Sequence, residues 1–249
     1  MVVSYCGAQA GPRVVHPLRR TSQIRMPPGH DENRDDDVEA RRWWSRLRPN
    51  PTHPVATDGH PEVEPGEVIR EGERVRLRRH TVENRPAFQR WYADDDIARL
   101  LRHDLRPLTP VQSLVYFDTV ILPSSARGLS LAIHDRETDE LIGTTGLTDV
   151  DQRISKSCYF RILIGESRYW NHGYGTEATR MMMSEAFERH GLESVKLEVF
   201  DYNHRAIAAY ERVGFHMVGE HTEWPEASGG SLHVLEMRLD KADFLAEAL

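Results

Sequence analysis

Residues Ile162-Leu163-Ile164-Gly165-Glu166-Ser167-Arg168-Tyr169-Trp170-Asn171-His172-Gly173-Tyr174-Gly175-Thr176-Glu177-Ala178 decide how this chain is read. An apolar strand end passes into a polar loop. The loop passes into two glycines one residue apart, and these into the first turn of a helix. Glycine puts no Cβ between the backbone and a ligand. The helix behind it presents unpaired N–H groups and the positive end of its dipole. The stretch therefore predicts an anion site, with a pyrophosphate as its simplest guest.

Toward the C-terminus, Ala178, Met181, Met182, Ala186 and Phe187 fall on one helical face, so a helix is expected to about His190, closed by Gly191. A strand is expected over Val195 to Phe200. Asn203 opens a helix carrying Ala206, Ile207, Ala209, Tyr210 and Val213, and Gly214 ends it. Phe215 to Gly219 and Leu232 to Leu239 read as a closing antiparallel pair, and Lys241 to Leu249 as a short helix.

Toward the N-terminus, Cys158 to Ile164 is a strand preceded by a polar turn over Asp149 to Ser157. Leu129 to His134 and Leu141 to Leu147 form a hairpin through Asp135 to Glu140. Helices are expected around Phe88 and Trp91 with Asn84 as N-cap, around Ile97 and Leu101, and after Thr109-Pro110. Val75 to His80 is the first clear strand. Antiparallel pairs thus flank one strand–helix–strand crossover. The expected class is α+β, a mixed, mostly antiparallel sheet with helices on both faces.

Residues 1–66 hold nine prolines between acidic and arginine-rich patches, with almost no apolar periodicity. A disordered extension is expected there, and a folded domain over 67–249. Arg41-Arg42-Trp43-Trp44-Ser45-Arg46 could stack on bases or touch a membrane, but a solvated tail with a local helix is the simpler reading. Met26 offers an alternative start. The net charge of −7 argues against nucleic acid as a partner. No apolar run spans a membrane and no signal peptide is read, so no membrane partner and a cytoplasmic location are expected. Cys6 and Cys158 make no disulfide framework, which fits a reducing compartment. The thirteen histidines show no zinc-type spacing, so no metal is expected.

Gly173-Tyr174-Gly175-Thr176-Glu177-Ala178 fits the dinucleotide pattern G-x-G-x-x-G/A, with Glu198 and Asp201 near the next strand as ribose-binding acids. Against it stand the eight residues between strand and first glycine and the single crossover. A second cluster, Asn203-His204-Arg205-Ala206-Ile207-Ala208-Ala209-Tyr210-Glu211-Arg212-Val213-Gly214-Phe215, favours another reading. It resembles the N-x-x-A-x-x-x-Y-x-x-x-G-F segment of the GNAT N-acetyltransferases, and Trp170 to Ala178 resembles their acetyl-CoA loop. The nearest branch is the ribosomal-protein-alanine and spermidine acetyltransferase-like one. The likeness covers Val75 to Leu239. Asn171-His172 replaces the family's frequent Gly-Lys, which removes one positive charge near the phosphates.

The resemblance implies acetyl-CoA as co-substrate and an amine acceptor, either a small molecule or a protein N-terminus. A homodimer is compatible with it. It implies a splay between the strand of Ile162, Leu163 and Ile164 and the next, with the pantetheine arm lying along the first. Trp170, Asn171, His172, Gly173, Tyr174, Gly175 and Thr176 would hold the pyrophosphate. Asn203 would bind pantetheine, and Tyr210 would protonate the leaving thiolate. For the base, Asp149, Asp151, Glu166, Glu198 and His134 are candidates. Asp149 is preferred, because its turn is expected to face the acceptor. A non-catalytic acyl-CoA sensor is the alternative.

Overall fold

The computed structural model describes residues 66–246; the expectations for residues 1–65 and 247–249 lie outside them. Strand alternation begins earlier than Val75: β1 (Val68–Glu71) turns back into β2 (Val75–Arg79). Four short helices follow, α1 (Arg85–Tyr92), α2 (Asp95–Leu101), α3 (Pro110–Tyr116) and α4 (Leu122–Ala126). A wider π turn, Phe117–Ile121, joins the last two. Then come β3 (Ser130–Asp135), β4 (Leu141–Asp151), β5 (Ser157–Ile164) and α5 (Tyr174–Ser184). The chain closes with β6 (Ser194–Phe200), α6 (His204–Glu211), β7 (His216–Glu223), β8 (Leu232–Asp240) and α7 (Lys241–Ala246).

The strands make one open sheet in the order β1-β2-β3-β4-β5-β6-β8-β7. Every neighbouring pair is antiparallel except β5 and β6. The expected α+β class is what the structure shows.

The β5–β6 pair decides where a site can lie. Only Ser157↔Ser194, Cys158↔Val195 and Tyr159↔Lys196 are in register; beyond them the strands separate. Phe160 to Ile164 therefore have no partner strand on that side. Phe160, Ile162 and Ile164 still bury their side chains with Met182 and Phe187 behind α5 and Tyr210 of α6 in the main core cluster. Alternation sends Tyr159, Arg161 and Leu163 to the opposite face. There α1 and α3 pack through Phe88, Tyr92 and Tyr116, with the Phe88 and Tyr92 rings stacked at 4.2 Å.

Three local expectations are corrected. Asn84 stands at the N-cap position of α1, but its side chain does not cap that helix; its Oδ1 reaches back to accept from the Thr81 N–H at 3.0 Å, across a preceding 3-10 turn (Val82–Asn84). The supposed turn from Asp149 begins as strand, because β4 bulges between Thr148 and Asp151 with Asp149 at φ 49°. The strand expected over Phe215 to Gly219 runs on as β7 to Glu223, which bonds His103.

Candidate active site

At the open end of the split, β5 hands over to the loop. Trp170 Nε1 donates to the Ile164 carbonyl at 2.7 Å, so the indole caps the strand that Ile162, Leu163 and Ile164 complete. Asn171 and Gly173 both take positive φ, 65° and 86°. For Gly173 nothing lies within 4 Å of where a Cβ would stand, so its φ, and not crowding, calls for glycine. Asn171, His172 and Gly173 are exposed. The first helical bond runs from the Glu177 N–H to the Gly173 carbonyl at 3.0 Å. The N–H groups of Tyr174, Gly175 and Thr176 come before it and have no intrahelical acceptor. Together they form an anion cradle at the mouth of the split.

A second loop–helix junction faces the same region. Asn203 is buried and its Oδ1 accepts from the Ala206 N–H at 3.3 Å, capping α6. Two turns on, Tyr210 is fully buried, between Phe160 and Phe215. Its hydroxyl has no hydrogen-bond partner among the described residues. Such an orphan costs on the order of 1–3 kcal/mol, so a ligand atom is its natural complement. Burial pushes its pKa well above the ordinary phenol value, against the pull of Arg205. Burial thus favours the protonated phenol, which has a hydrogen to offer. Arg205, one turn earlier, lays its guanidinium 3.8 Å from the Trp170 ring centroid. Its buried Nε is also without a hydrogen-bond partner among the described residues. Sequence reasoning missed this residue. It brings a cation to the loop where Asn171-His172 lacks one.

The base candidates separate clearly. Asp151 accepts from the N–H groups of Ile154, Ser155 and Arg153, which hold its carboxyl well below the usual range. It is a turn anchor. Glu166 accepts from Trp91 Nε1 at 2.9 Å and pairs with Arg90. Burial opposes its ionisation, but those hydrogen bonds outweigh it and lower its pKa. His134 bonds the Asp139 carbonyl, and burial lowers its pKa. Asp149 is exposed at the β4 bulge. Glu198 stands on β6, 4% exposed, 3.7 Å from His103 Nε2. Its cross-strand neighbour is Glu236, and His221 lies between them: one ligand atom from each of the three falls within 4.8 Å. Like charges directly opposite are unfavourable, and the His221 imidazole beside them offsets part of that cost. Cys158 is in the core, where burial raises its thiol pKa and disfavours the thiolate.

A cleft opens on the face opposite the core cluster, between β4 and β5 below and the helices above. Tyr92, Leu101, Tyr116, Thr144, Arg161 and Leu163 contribute to its wall. The end of α2 stands over the split: Leu101 lines this cleft, and His103 just beyond it meets Glu198.

Residues 74–216, more than half of the chain, match the acetyltransferase (GNAT) domain family. The chain belongs to that family. Among curated relatives, the uncharacterized N-acetyltransferase p20 of Bacillus licheniformis is 22% identical over 69% of this chain and 96% of its own. The uncharacterized N-acetyltransferase YoaA of Bacillus subtilis is 25% identical over 61% and 84%. A crystal structure of spermidine N-acetyltransferase from Vibrio cholerae, complexed with CoA and spermine, superposes with TM-score 0.60 at 18% identity over 69% of this chain and 98% of that one. A GNAT acetyltransferase from Bacillus anthracis gives 0.59 at 12% identity, covering 69% and 98%. At such identities the structures show the fold. In this GNAT N-acetyltransferase the family implies acetyl-CoA as acetyl donor. No helix among the described residues is long and apolar enough to cross a membrane.

Proposed function

We propose that this protein moves an acetyl group from acetyl-CoA to a primary amine, on a small molecule or a protein N-terminus, by direct attack within a ternary complex. The observation that carries the reading is the fully buried hydroxyl of Tyr210, without a hydrogen-bond partner among the described residues, beside a split parallel strand pair. The pantetheine arm would run along Ile162, Leu163 and Ile164 in place of the missing strand, with Asn203 bonding it. A β5 backbone N–H would polarise the thioester carbonyl. The pyrophosphate would sit on the cradle from Trp170 to Thr176.

The acceptor enters as an ammonium and must lose a proton before it has a lone pair. Glu198 takes that proton in this reading, because it is a buried carboxylate on the bank of the split opposite β5 and borders an imidazole. Asp149, exposed at the bulge, is the alternative base. The amine nitrogen bonds to the carbonyl carbon, the carbon–sulfur bond breaks, and the thiolate takes the Tyr210 proton. The buried Cys158 thiol argues against an acyl-enzyme. A homodimer belongs to the same reading: Met217 and Val218 are exposed on the edge strand β7, and solution mass is the check. So does a cytoplasmic location, where acetyl-CoA and reduced thiols occur.

The decisive experiment is Tyr210→Phe in a CoA-release assay over polyamines, amino acids and peptides. The expected outcome is a loss of about 10²-fold or more in kcat with acetyl-CoA affinity nearly kept. If wild-type protein binds acetyl-CoA tightly yet acetylates no amine in the panel, it is a sensor and the enzymatic reading falls.

A further inference from the structure

The acceptor cleft contains one charge that the proposed reaction leaves unused. Arg161 sits midway along β5 and lines that cleft, partly buried. Its Nη1 donates to the Tyr116 hydroxyl at 2.9 Å. That is its one hydrogen bond among the described residues, and no carboxylate there lies within 4.0 Å of it. Among carboxylates, Asp149 acts on it at longer range. Tyr92 and Tyr116 themselves are 6% and 3% exposed, so the guanidinium lies against buried phenols and not open water. A cation with no carboxylate within salt-bridge reach has donors to spare for an incoming anion.

The register places this cation relative to the chemistry. Tyr159 pairs with Lys196 in the parallel segment. Two residues on, Arg161 and Glu198 stand level on the two banks of the split, and alternation points both to the same face. Leu101 and His103, at the end of α2, bridge the two positions, one lining the Arg161 cleft and the other meeting Glu198. A carboxylate and a guanidinium thus stand on the same face of the sheet, one on each bank of the split. A planar guanidinium fork fits a carboxylate through two parallel hydrogen bonds.

We infer that Arg161 is an anion-binding group of the acceptor subsite, and that the acceptor is a small primary amine bearing a carboxylate close to its nitrogen. Such a molecule sets its amine toward Glu198 and its carboxylate on Arg161. A polyamine offers Arg161 only like charge. This inference rests on the acetyl-transfer reading above.

The test uses the full chain with acetyl-CoA and matched acceptors: leucine against 3-methylbutylamine, phenylalanine against phenethylamine, and spermidine. The expected result is a kcat/KM about 10- to 100-fold higher for the carboxylate-bearing member of each pair. In Arg161→Leu that ratio collapses toward one; in Arg161→Lys part of it survives. The ratio is the readout, so a general loss of activity does not imitate it. A second measurement needs no turnover: calorimetric binding of 4-methylpentanoate to the CoA-loaded protein, expected in the wild type and at least tenfold weaker in Arg161→Leu. Equal kcat/KM within the pairs, preference for spermidine, or no carboxylate binding overturns the inference while leaving acetyl transfer intact. Carboxylate binding that depends on Arg161, in a protein that acetylates nothing, retains the anion subsite and overturns the transfer reading.

Discussion

The two banks of the β5–β6 split are built from different materials. The side proposed for the donor is backbone: the free edge of β5, a left-handed Gly173, and the N–H groups that open α5. The acceptor side is side chains gathered from far apart: Tyr116 to Arg161 across 45 residues, Trp91 to Glu166 across 75, His103 to Glu223 across 120. Backbone geometry can be kept through many substitutions and serves one constant ligand. Side chains can be exchanged one at a time. A fold divided in this way can hold its donor while changing its acceptor.

The sharpest way to break this comparison is to exchange the carboxylates of the acceptor side. Glu198→Gln is expected to lower kcat about 10²- to 10³-fold, whereas Asp149→Asn stays within a few-fold, both followed by CoA release across pH. The opposite ranking would move the base to β4.

Next in size is a difference in acid stability. His80 joins β2 to the acceptor side: its backbone N–H donates to Ser125 Oγ of α4 at 2.7 Å. Its ring bonds Asn84 at 3.2 Å and Thr144 of β4 at 2.9 Å. The Nδ1–H tautomer satisfies both ring bonds, since the Asn84 partner is a carbonyl oxygen. Burial holds its pKa down at about 4, against 6.5 for the free side chain. Between these values the unfolded chain takes up a proton that the native state refuses. Stability is therefore expected to be flat above pH 6.5 and to fall by up to roughly 3 kcal/mol as pH drops to 4. Denaturant titrations of wild type and His80→Gln check this, the variant losing most of the slope. Hydrogen exchange should show residues 82–126 opening first.

Gly173→Ala probes the donor side. Forcing an L-residue to φ 86° costs about 1–2 kcal/mol. Acetyl-CoA affinity is expected to weaken about tenfold with kcat largely kept, as seen by calorimetry and steady-state kinetics. The smallest effect is expected at the start of α3. There Thr109 Oγ1 accepts from the Gln112 N–H at 3.3 Å, and Gln112 Oε1 accepts from the Thr109 N–H at 2.9 Å. Thr109→Ala should cost about 1 kcal/mol in melting experiments and leave donor affinity untouched.

The same division explains what could be read from the sequence. The crossover, the glycine loop and the Asn203–Tyr210 helix are contiguous, and each is stated in local residue chemistry. The resemblance to GNAT enzymes rested on them. β1 was missed because four residues with half-buried faces carry little periodicity. Asn84 takes the expected N-cap position, but its side chain bonds backward to Thr81 instead of capping forward, which residue type alone does not decide. Arg161 looks in sequence like any polar residue alternating along a strand. Its isolation becomes visible only when α3 and β4 close around it. Arg205 is likewise ordinary until Trp170 folds under it. Glu198 was among the candidates, but its setting depends on β7 and β8, which come later in the chain.

The short pairing of β5 with β6 has one further consequence. Five residues of a central strand keep one hydrogen-bonding edge open inside the sheet, a seam of the kind that proteins normally close. On the proposed reading a thioester arm lying along it would finish the sheet, and the donor would also be a folding partner. At a concentration one hundred times its Kd it adds about 2.7 kcal/mol to the native state. The lifetime of the folded chain, and with it the amount of enzyme present, would then rise and fall with the supply of the metabolite it consumes.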